Sequence, residues 1–143
     1  MTGRAVSCAA VIDDDAIVEV LVREFSAIAA VYRFGSAVDG SARPGSDIDL
    51  AFLVDHPVDA ARRFSVQEML AARLHRDVDL VDLAAAPTVL RMQVVATGKP
   101  LATIDRTRRD VFEDYVFASY ARLNEERRGI LDRIAGEGRV YGG

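Results

Sequence analysis

The sequence predicts one α/β (α+β) domain, a mixed sheet with helices packed on it and a long helix at its C-terminal end. Three observations predict this. Residues 30–34 (AVYRF), 47–54 (DIDLAFLV) and 77–83 (DVDLVDL) carry the apolar runs and two-residue alternation of strands. Between and after them, apolar residues recur every three or four positions, as on amphipathic helices. The chain has 143 residues, half of them hydrophobic and 28% charged. That is the size and balance of a single domain spanning 1–143 around one core.

The elements follow in order. Residues 1–15 (MTGRAVSCAAVIDDD) hold a short apolar patch that ends in acid, and read as a strand or loop rather than a signal peptide. Asp13, Asp14 and Asp15 suit the start of a helix, where carboxylates accept free N–H groups. Ile17, Val18, Leu21, Val22 and Phe25 give that helix its apolar face. After the strand 30–34, residues 37–46 (AVDGSARPGS) are rich in turn formers and predict a loop, with room for one helical turn. The strand 47–54 is broken by Asp55-His56-Pro57. Residues 58–75 read as a helix offering Phe64, Met69, Leu70 and Leu74 to the core. Strand 77–83 follows, then a helix with Pro87 in its first turn that stops at Gly98. A last helix spans about residues 105–134, with Phe112, Tyr115, Val116, Leu123, Ile130, Leu131 and Ile134 as a core stripe. Tyr115, Phe117 and Tyr120 do not all fit one narrow face, which makes this helix a candidate partner-binding element. Helices packed on one side of a mixed sheet satisfy this order.

Charge and composition narrow the partners. The net charge is −4, so the basic footprint of a duplex-binding protein is missing and a nucleic-acid partner is disfavoured. No apolar run approaches the length of a membrane span. The single cysteine, Cys8, allows no internal disulfide and fits a reducing cytoplasm. His56 reads as a turn residue, His75 and Lys99 as surface charges, and Cys8 as a small core residue.

The chemistry lies in residues 35–49, GSAVDGSARPGSDID. Asp47 and Asp49 are two apart on a strand, so their side chains share a face. Two adjacent carboxylates repel unless a cation lies between them, and Mg2+ takes such carboxylates together with substrate phosphates. Gly35 and Ser36 end the preceding strand. There a glycine lets the backbone approach an anion, and the Ser hydroxyl with nearby N–H groups can hold phosphate oxygens. Arg43 and Ser46 join them as candidate nucleotide-binding residues. A third carboxylate comes from the strand 77–83. Asp77 and Asp79 share a face and Asp82 takes the other. Asp79 is the choice because it lies well inside the strand, with Asp77 its rival. Asp47, Asp49 and Asp79 are thus the candidate catalytic and metal-ligating residues for a pair of Mg2+ ions, one serving the nucleophile and one the leaving pyrophosphate.

Gly-Ser, ten residues, then Asp-x-Asp resembles the signature of the DNA polymerase β-like nucleotidyltransferase superfamily, here on Gly35, Ser36, Asp47 and Asp49. With VDLVDL and Gly98-Lys99-Pro100-Leu101, roughly residues 10–130 resemble its minimal nucleotidyltransferase (MNT) group. The resemblance implies the polymerase β-like fold and transfer of a nucleoside monophosphate, AMP from ATP, with Mg2+. It also implies a partner: MNT proteins are often antitoxins that modify a tyrosine of a HEPN-domain ribonuclease toxin. Gly35 and Ser36 would then bind the triphosphate, Asp47 and Asp49 would ligate Mg2+, and Asp79 would act on the acceptor hydroxyl. One departure stands out. Where many relatives carry arginines just after Gly-Ser, this chain has Ala37, Val38 and Asp39, which predicts weaker NTP binding. No separate acceptor-binding domain is evident, so the acceptor is expected from a partner, a dimer mate or the C-terminal helices. Two other readings use the same residues: nucleotidylation of a small molecule such as an aminoglycoside, and a non-catalytic antitoxin that neutralises its partner by binding.

Overall fold

The computed structural model describes residues 12–35 and 47–142, with side chains described as far as residue 135. The expected N-terminal strand or loop, Cys8, and the loop residues Ser36, Arg43 and Ser46 lie outside the described residues.

Among the described residues four helices and four strands follow one another: α1 (Asp14–Glu24), β1 (Ala30–Phe34), β2 (Ile48–Leu53), α2 (Ala60–Leu74), β3 (Val78–Asp82), α3 (Thr88–Thr97), β4 (Lys99–Thr103) and α4 (Arg106–Gly142). The sheet order is β3-β2-β1-β4. β1 runs antiparallel to both β2 and β4, and β2 runs parallel to β3. The sheet is therefore mixed, as the sequence predicts. Among the described residues no helix is long and apolar enough to cross a membrane.

Alternation along the strands splits the interior in two. Val31, Ile48, Leu50, Phe52, Val78 and Leu80 face α1 and α2, meeting Ile17, Val20, Leu21, Val66 and Leu70. Phe25 stacks on Phe52 with ring centroids 4.4 Å apart. Tyr32, Phe34, Ala51 and Leu53 face the other way, toward Leu90 and Val94 of α3 and Phe112 of α4. Helices thus cover both faces, not one as expected, because β1 and β2 are apolar at nearly every position. Each large side chain so buried contributes about 1.5–3 kcal/mol.

Caps set several boundaries. Asp13 accepts the Ala16 N–H at 3.1 Å and so starts α1. Asp59 accepts from Ala61 and Arg62, which places the start of α2 at residue 60 rather than 58. His75 ends α2 in the left-handed conformation. On α2 the core residues are Val66 and Leu70, while Phe64 and Met69 are exposed, contrary to expectation. Val22 of α1 is likewise exposed, and Ala16 and Val20 take the buried positions.

The sequence reading misses β4. Pro100 argues against a strand there, yet it sits on an edge strand opposite Tyr32, where a missing N–H costs little. The last helix also departs from expectation. α4 docks by its first turns, where Val116 is fully buried, but Tyr115, Ile130, Leu131 and Ile134 are exposed. The apolar stripe is therefore not a core stripe beyond that point. Docking is fixed by a polar cluster. The Tyr32 hydroxyl donates to Glu113 at 2.7 Å, and Arg109 bridges Glu113 at 2.9 Å and Thr103 at 2.7 Å.

The free edge of β3 is closed by side chains of α2. The Leu80 N–H donates to Gln67 Oε1 at 2.9 Å, and Arg63 donates to the Leu80 carbonyl at 3.0 Å. Those backbone groups would otherwise await another strand.

Candidate active site

Strand pairing brings the acidic residues together. In the parallel pair of β2 and β3, Asp49 stands directly opposite Asp79. Both side chains lie on the α3-facing side of the sheet, since Leu50 and Leu80, one residue on, face α1 and α2. Asp47 immediately precedes β2, and two-residue periodicity puts it on the same side as Asp49. Asp49 is half-buried, whereas Asp47 and Asp79 are exposed. Asp82 points the opposite way, buried, accepting the Val58 N–H at 2.6 Å and the Ala84 N–H at 2.9 Å. It serves the turn after β3. Asp77 is exposed and its carbonyl accepts the Ile48 N–H at 2.9 Å.

Electrostatics separates Asp79 from Asp77. The Asp49 carboxyl is held above the usual carboxylate range, first by burial, then by the charge of Asp79, then by that of Asp47. Asp77 makes no comparable contribution. Three carboxylates therefore press on one another at one end of the sheet.

Gly35 completes the described part. It follows β1 with φ of 79°, a conformation that glycine adopts readily and other residues do not. A Cβ there would collide with Asp49 Oδ2 and lie 3.2 Å from Asp49 Cγ. The glycine thus brings the backbone turn against the middle carboxylate. Arg33, two residues earlier, does not add its charge to this face. It pairs with Asp14 at 2.7 Å from the other side of the sheet.

These residues fit a hard divalent cation in two respects. All three donors are carboxylates, and the middle one is destabilised by its neighbours' charge, which a cation would relieve. The side chains are not already closed into a cage: among the described residues no three His, Cys, Asp or Glu groups are gathered to hold a metal ion.

Two cavities bear on the site differently. One of about 260 Å3 runs beside β3 and includes Asp79, Arg63, Ala85 and Leu90. A larger one of about 410 Å3, between Leu53, Asp55, Arg108 and Tyr115, opens at the opposite end of β2. It is remote from the carboxylates and has no part in their chemistry. Sequence reasoning missed Arg63. Its place beside Asp79 follows from how α2 packs on the edge of β3, and no local pattern signals it.

A model of the family described as polymerase beta, nucleotidyltransferase matches residues 15–107. Protein adenylyltransferase MntA of Shewanella oneidensis is 34% identical over 123 residues, 86% of this chain and 88% of that protein. A chain of a toxin–antitoxin crystal structure with AMP-PNP superposes with a TM-score of 0.78 at 34% identity, over 86% of this chain and 98% of that one. A chain of the tri-AMPylated Shewanella oneidensis HEPN toxin in complex with its MNT antitoxin gives 0.72 at 33% identity, over 85% and 94%.

Proposed function

As a member of the polymerase β nucleotidyltransferase family, in its MNT branch, this chain is a nucleotidyltransferase, and we propose that it transfers AMP from ATP to a tyrosine of a HEPN-domain toxin, acting as its antitoxin. The observation that carries the reading is Asp49, flanked by Asp79 and Asp47 on one face and touched by the Gly35 turn. The related chains solved with AMP-PNP and with an AMPylated HEPN toxin support the donor and the partner.

The residues divide the work as follows. Gly35 and Ser36, with Arg43 and Ser46, bind the triphosphate through N–H, hydroxyl and guanidinium donors. Asp47, Asp49 and Asp79 would hold two Mg2+ ions. When bound, Mg2+ supplies positive charge to the phosphate oxygens and to the attacking oxygen. Asp79, on the outer strand, is the carboxylate placed to take the proton of the acceptor hydroxyl. The activity belongs to the cytoplasm, where ATP and Mg2+ are supplied together.

Incubation with α-labelled ATP, Mg2+ and a cognate HEPN-domain protein is expected to label a tyrosine of that protein. Asp47→Asn with Asp49→Asn is expected to abolish the label. A folded protein that transfers nothing would refute the reading. Neutralisation of the toxin by the double variant would instead favour an antitoxin that works by binding alone.

A further inference from the structure

We propose that the cleft beside β3 seats the acceptor side chain, and that its size and lining admit a single phenol ring. This rests on the reading of the chain as a tyrosine adenylyltransferase. The cleft holds about 260 Å3. The cleft is open to solvent, and one aromatic ring fits within it.

Its lining is divided as a phenol requires. Val81, Ala85, Ala86 and Leu90 make an apolar wall. Val81 and Leu90 are anchored in the core beneath, so that wall is fixed. Asp79 stands at one end, opposite Asp49 on the neighbouring strand. Arg63 stands on the other side, held by the Leu80 carbonyl at 3.0 Å and by Gln67 at 3.4 Å. Among the described residues it makes no ion pair, so its charge is available to the face of an incoming ring. The two alanines matter by being small: Ala85 and Ala86 open the mouth where a larger residue would close it.

A ring in this cleft presents its hydroxyl to Asp79. The phenol oxygen then bonds to the α-phosphorus of ATP. The bond from that phosphorus to the oxygen bridging to the β-phosphate breaks, and pyrophosphate leaves with the electron pair. The phenolic proton passes to the Asp79 carboxylate and on to solvent.

The test fills the cleft without touching the nucleotide site. Ala85 is exposed, so Ala85→Phe is compatible with the fold. Ala85→Phe is expected to lower kcat/KM for AMP transfer to the HEPN-domain protein by about a hundredfold, as displacement of a reacting group does. Affinity for Mg2+ with AMP-PNP should stay at the wild-type level. As a second measurement, N-acetyltyrosinamide, but not N-acetylserinamide, should shift the methyl resonances of Val81 and Leu90 in the wild-type protein with Mg2+ and AMP-PNP. Wild-type transfer rates in a folded Ala85→Phe protein, or equal shifts from both amides, would overturn the proposal. A wild-type protein that labels no partner at all would overturn the adenylyltransferase reading instead.

Discussion

Gly35 and Asp49 sit so close that no side chain fits between them: a Cβ on Gly35 would run into Asp49 Oδ2 and come within 3.5 Å of Asp49 Cβ. The turn after β1 and the middle carboxylate are therefore placed by one contact. Gly35→Ala should cost on two counts. The left-handed backbone of an alanine costs about 1–2 kcal/mol, and Asp49 must also move. Chemical denaturation should show at least that loss. Isothermal titration should show weakened binding of Mg2+ with AMP-PNP. Wild-type binding by Gly35→Ala would mean that the contact does not shape the site.

Asp49 should be a liability to the metal-free fold. Its folded carboxyl is raised above the value of about 3.9 expected for an unfolded aspartate. Between those two values the folded state holds more protons, so stability falls as pH rises through that window. Above it the ionised group destabilises the fold. Asp49→Asn should therefore raise the Tm of the metal-free protein at neutral pH, and the gain should shrink as the pH falls toward about 4 and vanish below it. The same change should cut AMP transfer by about a hundredfold or more, the effect of losing several kcal/mol of charge stabilisation. A lower Tm at neutral pH would contradict this account.

Asp79 is expected to act on the acceptor more than on the nucleotide. Asp79→Asn should reduce kcat by about 10²–10⁴-fold, the range for a lost general base. Asp77→Asn, whose charge does not raise Asp49, should leave kcat within about threefold of wild type, as surface substitutions usually do. Steady-state kinetics on the two variants decides between them. Equal losses would return Asp77 to the site.

Glu113 ties α4 to the sheet. Burial and then Glu113 push the Tyr32 phenol well above its ordinary range, so its proton stays in place to donate. Glu113→Ala would strand that buried hydroxyl and release Arg109, at a cost of about 1–3 kcal/mol. Tyr32→Phe removes the donor and leaves the Arg109 pair with Glu113, so it should cost only about 1 kcal/mol. Urea denaturation of the two variants should show that order.

Chelation should silence the enzyme without unfolding it. The two halves of the core are apolar and lie apart from the acidic end of the sheet. EDTA is expected to abolish transfer and to lower the Tm only slightly, as the repulsion among the carboxylates returns. Loss of the folded state on chelation would mean that the metal holds the core together.

The acidic site was legible because its rule is local. Two-residue periodicity puts Asp47 with Asp49, and the turn chemistry marks Gly35. Asp79 was chosen over Asp77 for its place well inside the strand, but that it stands opposite Asp49 follows from strand register, which one sequence does not carry. β4 was hidden because Pro100 looks like a terminator until the strand is known to be an edge. α4 misled for a different reason. Its apolar residues keep helical spacing past residue 123, but the body of the protein ends before they do. Periodicity reports which residues share a side and is silent on whether anything stands there. Arg63 was invisible for the same reason, since its neighbours come from a distant segment.

Gln67 and Arg63 occupy the hydrogen-bonding groups of Leu80 on one border of the sheet, and Pro100 interrupts the other. Neither border invites backbone pairing with a foreign polypeptide. An adenylyltransferase acting on a protein, as proposed above, gains from this. Encounters are confined to side-chain surfaces, which let go, and are kept from main-chain ladders, which can zip into fibres and do not.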